Sequence, residues 1–151
     1  MVIIGEDKTK PIFEKKFDSA GWSGIKEINL TDFGIELSKG IPYMWSVSII
    51  PEPEHRSKDI IAVGTIVVVD PSKSLASALI TKSQEDLVYI LSEEGIWYDA
   101  LEKISHLIAL QPERSELRVL RAELLDQVNL VEVAEYDREM ITSGMVSDSE
   151  R

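Results

Sequence analysis

Three groups of side chains in this sequence have the types and spacing to do chemistry. The first is Glu52-Pro53-Glu54-His55-Arg56-Ser57-Lys58-Asp59, a histidine among carboxylates with an arginine close by. A His beside carboxylates can hold a divalent cation or pass a proton. A metal site needs ligands fixed at defined spacing, and a single His on a proline-bounded loop supplies few of them. The plainer reading is a tied-down hairpin loop in which Arg56 bonds Asp59 or a backbone carbonyl and Ser57 caps the turn. Arg56 and Asp59 are then candidate contacts for a ligand or partner. The second group is Trp97 and Tyr98, adjacent aromatics that can stack a ligand or a partner side chain. Alternatively Trp97 fills the gap between the two helices that Gly95 joins, or rests on the sheet, with Asp99 favoured by the positive end of its helix. The third group, Arg114, Arg118 and Arg121, falls at i, i+4 and i+7 on one helical face. Such a stripe can clamp a carboxylate or an acidic peptide. The alternative is pairing with neighbours such as Glu135 or Asp137.

Templates for catalysis are missing from this inventory. There is no G-x-S-x-G, no H-E-x-x-H, no P-loop and no G-x-G-x-x-G after a strand. A triad would need His55 or His106, and neither has a marked nucleophile nearby; His106 reads as a surface or boundary residue. A hydrolase built on His55 is the weakest of the functional readings. The sequence assigns no catalytic residue, no metal ligand and no cofactor.

Composition narrows the partners. The 151 residues carry 16 Lys+Arg against 27 Asp+Glu, a net charge of −11. A nucleic-acid binder needs a basic face to displace counterions, so that class is excluded. The absence of Cys removes disulfide scaffolds, thiolate metal sites and Cys nucleophiles together. Hydrophobic residues make up 44% of the chain, enough for a core in one domain or two small units. No stretch approaches the roughly 20 apolar residues of a membrane span. Met1–Asp7 is no signal-peptide core. The compartment is periplasmic or extracellular if an upstream signal segment exists, and otherwise cytoplasmic.

The elements that must position these residues change character at residue 70. Residues 1–70 show period-2 patterning and predict an antiparallel β-sandwich or sheet. Ile12–Phe17 places Phe13 and Phe17 on one face, Ile28 and Leu30 alternate in Ile25–Leu30, and Tyr43, Trp45, Val47 and Ile49 alternate with polar partners. Turn residues at Gly21, Gly24, Thr31–Gly34 and Lys39–Pro42 separate them. Ile60–Val69 is apolar on both faces and predicts a central strand covered on each side. Residues 71–141 switch to helical spacing and predict four or five helices packed on the sheet and sharing its core. Asp70-Pro71 reads as an N-cap and first helical position before Leu75 and Leu79. Ser83–Asp86 resembles a capping box before Leu87, Ile90 and Leu91, and Gly95 reads as the stop. Trp97, Leu101, Ile104 and Ile108 form the next stripe, ended by Pro112. Leu117, Leu120, Leu124 and Val128 follow, closed by Asn129, and a last helix spans Val131 to Ile141. Residues 142–151 read as a flexible polar tail. The first half carries 8 bases and 11 acids, the second 8 and 16, so the helices hold most of the acidity.

A repeat lies within the helices. Gly95, Ala100 and Pro112 stand at the offsets of a tetratricopeptide repeat, in which a small Ala lets two helices approach closely. A shift of 34 residues, that repeat's period, maps Val88 to Ala122, Leu91 to Leu125, Gly95 to Asn129 and Ala100 to Ala134. Leu87 maps to Arg121, where the pattern breaks. Fewer than about three such repeats cannot bury their own faces, so the strand half is expected to complete the core.

Three stretches resemble an uncharacterised bacterial family, mainly cyanobacterial, known as domain of unknown function nine-two-eight. They are Tyr43-Met44-Trp45 with Pro53–Asp59 and Gly64-Thr65-Ile66; then Glu94–Leu101; then Leu124–Leu130, where the family usually has Gly in place of Asn129. The Gly95–Leu101 string is the most specific. The resemblance implies no activity, since the family has none assigned. It implies export and a longer N-terminal region, so that the chain reads as the folded C-terminal body of a longer protein. The family's Cys-Asp-Pro stands here as Pro51-Glu52-Pro53. The leading expectation is an α+β, non-catalytic interaction or adaptor module. Its partner is a protein or peptide, acidic if the arginine stripe is the contact, and charge reversal at Arg118 and Arg121 would then weaken capture without unfolding. The alternative is a small-ligand or metal-binding sandwich acting at residues 52–59.

Overall fold

A computed structural model of the chain describes residues 1–18, 22 and 24–148, with residues 143–148 described by backbone alone. It divides into two compact units, Met1–Asp70 and Pro71 onward. An N-terminal antiparallel sheet followed by helices makes the chain an α+β protein.

The first unit holds β1 (Val2–Ile4), β2 (Pro11–Glu14), β3 (Pro42–Ile49) and β4 (Ile60–Val67) in the spatial order β2-β1-β3-β4. Every pairing is antiparallel. Of the sandwich and the sheet that the patterning left open, the described residues form the sheet. Residues directly opposite share a face, so Phe13, Ile3, Trp45 and Gly64 form one row across it. Gly64 is required there because a Cβ would lie 2.5 Å from the Trp45 ring. Ile3, Phe13 and Tyr43 are buried, and Leu30, Ile35, Leu37 and Ile41 pack against them. Phe13 and Phe17 both reach Phe33, with ring centroids at 5.2 and 6.2 Å.

Two expectations for this unit fail. Ile25–Leu30 is not a strand. The Asn29 side chain accepts from the Thr31 N–H at 3.0 Å and opens a 3₁₀ turn over Leu30–Phe33, a local bond that competes with a ladder. The expected central strand, β4, is instead the outermost, paired only through β3 among the described residues. Gly21, read as a turn residue, lies outside the described residues.

The second unit holds α1 (Lys73–Thr81), α2 (Gln84–Glu93), α3 (Trp97–Leu110), α4 (Ser115–Asp126) and α5 (Val131–Asp148). Its first N-cap is Ser72, whose Oγ accepts from the Leu75 N–H at 3.1 Å. Asp70, the expected cap, instead pairs with Lys39. Leu75 and Ala78 are buried while Leu79 is exposed, so the inward stripe of α1 differs from the expected Leu75–Leu79 pair. Ser83 caps α2 as its spacing predicts, accepting from the Asp86 N–H. Leu75, Val88, Leu91, Ala100, Ile104, Ile108, Leu117 and Leu124 gather into one buried cluster. The last helix runs on through Asp148 rather than ending at Ile141; residues 149–151 lie outside the described residues.

The helices form two hairpins with matching turns. At the end of α2 the Ile96 N–H bonds the Leu91 carbonyl, and at the end of α4 the Leu130 N–H bonds the Leu125 carbonyl. Both closures span six residues, as in a Schellman motif. The residues that permit them, Gly95 and Asn129, have φ of 75° and 61°. Ala100 and Ala134 are both fully buried. The 34-residue shift seen in the sequence is therefore a shift between equivalent structural positions.

Candidate functional site

The arginine stripe starts α4, and each of its guanidinium groups is engaged within the second unit. Asp137 on α5 is fully buried. Arg121 grips it with two bonds, Nε to Oδ2 at 2.7 Å and Nη2 to Oδ1 at 2.6 Å. Arg118 adds Nη1 to Oδ1 at 3.2 Å, and Arg121 Nη1 reaches Ser105 Oγ on α3 at 3.2 Å. One carboxylate thus joins α4 and α5, and the same arginine reaches α3. The stripe's other named neighbour, Glu135, pairs with Arg138 instead.

Arg114 closes on two carboxylates. Its Nη1 and Nη2 reach the Glu85 oxygens at 2.6 and 3.3 Å, and its Nε reaches Glu116 at 2.7 Å. These bonds, Glu85 first, hold the Arg114 guanidinium above its already high ordinary value. The bond from Arg114 holds Glu116 below the usual carboxylate range. The fork links the first turn of α2 to the start of α4.

Trp97 opens α3 and donates from Nε1 to the Leu124 carbonyl at 2.9 Å. That carbonyl belongs to the last turn of α4, where helix carbonyls lack intrahelical partners. Tyr98 meets the Trp97 ring edge-on at 5.4 Å. The Trp97 bond ties the first hairpin to the second. His106 is exposed. A cleft of about 60 Å³ between α2 and α4 is lined by Tyr89, Ser92, Leu120 and Gln127 among others.

In the loop after β3, Arg56 bonds Asp59 through Nε at 2.8 Å and Nη2 at 2.6 Å. Glu52 takes Lys58 and His55 Nδ1. The loop is therefore tied down by its own charges, as the spacing predicts. Asp59 is the exception within it. Its side chain is only 6% exposed, and Oδ1 has no hydrogen-bond partner. Among the described residues no three side chains of the metal-ligating types come together.

The feature that sequence reasoning missed lies on the sheet. Ile60, Ile61 and Val63 of β4 are 62–67% exposed, and Ile49, Met44 and Val67 are exposed beside them. The run Ile60–Val69 has no charge and no proline. The signal is in the sequence, but an apolar run by itself predicts burial within the chain.

The class defined by these features is an α+β protein in which an antiparallel sheet precedes two matched helical hairpins. More particularly, the chain belongs to the family described as Domain of Unknown Function (DUF928), whose model matches residues 1–137. Comparison with curated proteins and with solved structures finds no match.

Proposed function

We propose that this chain is a non-catalytic protein-interaction module and that its contact surface is the sheet of the first unit. The observation that carries this reading is the apolar exposure on both faces of the β3–β4 pair, with Ile49 opposite Ile60 on one face and Ile61 and Val63 on the other. Exposed apolar patches of this kind mark interaction surfaces, whereas singly scattered apolar residues need no explanation. The arginine stripe supports recognition less well, because Arg118 and Arg121 are committed to Asp137 and Arg114 to Glu85 and Glu116. The test is affinity capture by the tagged full chain from an extract of its own organism, beside Ile61→Lys and Val63→Lys. Proteins retained by the wild type should be lost from both variants. Identical captured sets would overturn the reading.

A second reading, a small-ligand site at residues 52–59, is favoured by one observation, the buried and unpartnered Asp59 Oδ1. A ligand with a hydrogen-bond donor aimed at that oxygen would raise the melting temperature. The rise should vanish in Asp59→Ala. A donor-bearing small-molecule panel that shifts nothing removes this reading.

A further inference from the structure

The two outer strands of the sheet are built differently. β2 is four residues long, begins at Pro11, ends at Glu14 and shows a register irregularity against β1. Lys8, Lys10, Lys15 and Lys16 flank it. Shortness, proline, irregular register and charge are the devices that stop an edge from accepting another strand. β4 is flanked by Lys58, Asp59 and Asp70 but has none of these devices within the strand. It is eight residues long, pairs with β3 without interruption, and offers roughly 27 Å of edge. Its residues from Ile60 to Val67 carry no charge and no proline; Ile60 on one face and Ile61, Val63 and Val67 on the other are exposed, while Ile66 packs half-buried on the core of its own sheet.

We propose that β4 pairs antiparallel with β4 of a second copy of this chain, forming one continuous sheet across a two-fold axis. The proposal rests on the reading of the sheet as the contact surface and names the partner. An antiparallel strand is self-complementary under a two-fold axis perpendicular to the sheet, and both faces then continue across the joint. Directly opposite residues share a face only if their numbers sum to an even value. Centring the axis on Gly64 sets Val63 opposite Thr65 of the second copy, Ile61 opposite Val67, and Ala62 opposite Ile66. Apolar then meets apolar or small on both faces.

Charge favours this occupant over a charged peptide. The strand is neutral along its length, so an uncharged strand complements it. Its ends are closed ion pairs, Glu52 with Lys58 before β4 and Lys39 with Asp70 after it. They offer a second copy no net repulsion there. The same register brings the Lys58 end of one strand beside the Asp70 end of the other. A parallel pairing would set Lys58 against Lys58 and Asp70 against Asp70.

The experiment is sedimentation equilibrium of the full chain up to about 100 μM, with Ile61→Lys and Val63→Lys alongside. The wild type should reach twice the 17.0 kDa chain mass. Each lysine sits at an exposed position of the single chain, so circular dichroism and melting of the monomer should be unchanged. In this register the two Val63→Lys charges come within two residues of each other, and each Ile61→Lys charge is set against Val67 of the second copy, so each variant should weaken association about a hundredfold or more. The chain has no Cys, so register can be read by oxidation. A mixture of Val63→Cys and Thr65→Cys chains should cross-link better than either alone. A wild type that stays at the monomer mass overturns self-pairing, as does a lysine variant that still dimerises or a mixture that cross-links no better than its parts. The capture experiment decides the interaction reading separately, because a monomeric chain can still lose a different partner through Val63→Lys.

Discussion

Arg121 shows how one residue can break a repeat and leave the fold intact. In the first hairpin the equivalent position is Leu87, buried in the helical interior. In the second, an arginine occupies that place and brings its own buried carboxylate, Asp137, with Arg118 and Ser105 completing the set. A buried pair of this kind adds little net stability over a well-packed apolar pair, but removing one partner leaves a charge stranded. Asp137→Ala should therefore lower unfolding stability by about 3–5 kcal/mol, measured by urea denaturation. Arg121→Met combined with Asp137→Leu should recover most of that loss. A single variant as stable as the wild type would show that Arg121 finds water instead of staying buried. The same geometry changes the expected outcome of charge reversal at Arg118 and Arg121. Facing Asp137, two glutamates would unfold the α4–α5 hairpin, so that variant cannot report on partner capture.

At the scale of elements, the turns carry the argument. Gly95 and Asn129 hold the same left-handed conformation in turns that close with the same hydrogen bond. A Cβ at Gly95 meets nothing within 4 Å, so Gly95→Ala should cost only its backbone strain, about 1 kcal/mol. Asn129→Ala should cost a similar amount, while Asn129→Gly should be at least as stable as the wild type. Urea midpoints of the three variants check this; an Asn129→Gly that destabilises would mean that the Asn side chain holds the turn. These turns were legible in the sequence because Gly and Asn are the residues that tolerate positive φ. The helices were legible from their stripes, Ser83 from its cap spacing, and β3 from its alternation. What was not legible depended on long-range partners. Asp70 could not be known to pair with Lys39 and leave the cap to Ser72. Arg118 and Arg121 share a face by spacing, with Glu135 and Asp137 both candidate partners, and the position of α5 selects Asp137. Ile25–Leu30 alternates, but Asn29 bonds its own backbone before a ladder can form. β4 misled for the opposite reason, since a pattern that specifies two apolar faces does not say which molecule covers them.

For the whole molecule, the decisive quantity is where the charge lies. The chain carries −11, of which −3 falls on residues 1–70 and −8 on residues 71–151. Two copies therefore repel at long range, while the strand proposed to join them is neutral. These two contributions respond oppositely to salt. Long-range repulsion fades as the screening length falls from about 30 Å at 0.01 M to about 8 Å at 0.15 M, whereas backbone pairing and apolar burial are little affected. Association through β4 should therefore tighten by about 3- to 10-fold over that range. If the Lys58 and Asp70 ends supplied most of the attraction, salt would weaken the dimer instead. Sedimentation at the two ionic strengths gives the sign directly. Tightening with salt identifies an acidic protein that joins through an uncharged strand; loosening would place the attraction in the ion pairs and refute pairing driven by the open edge of β4.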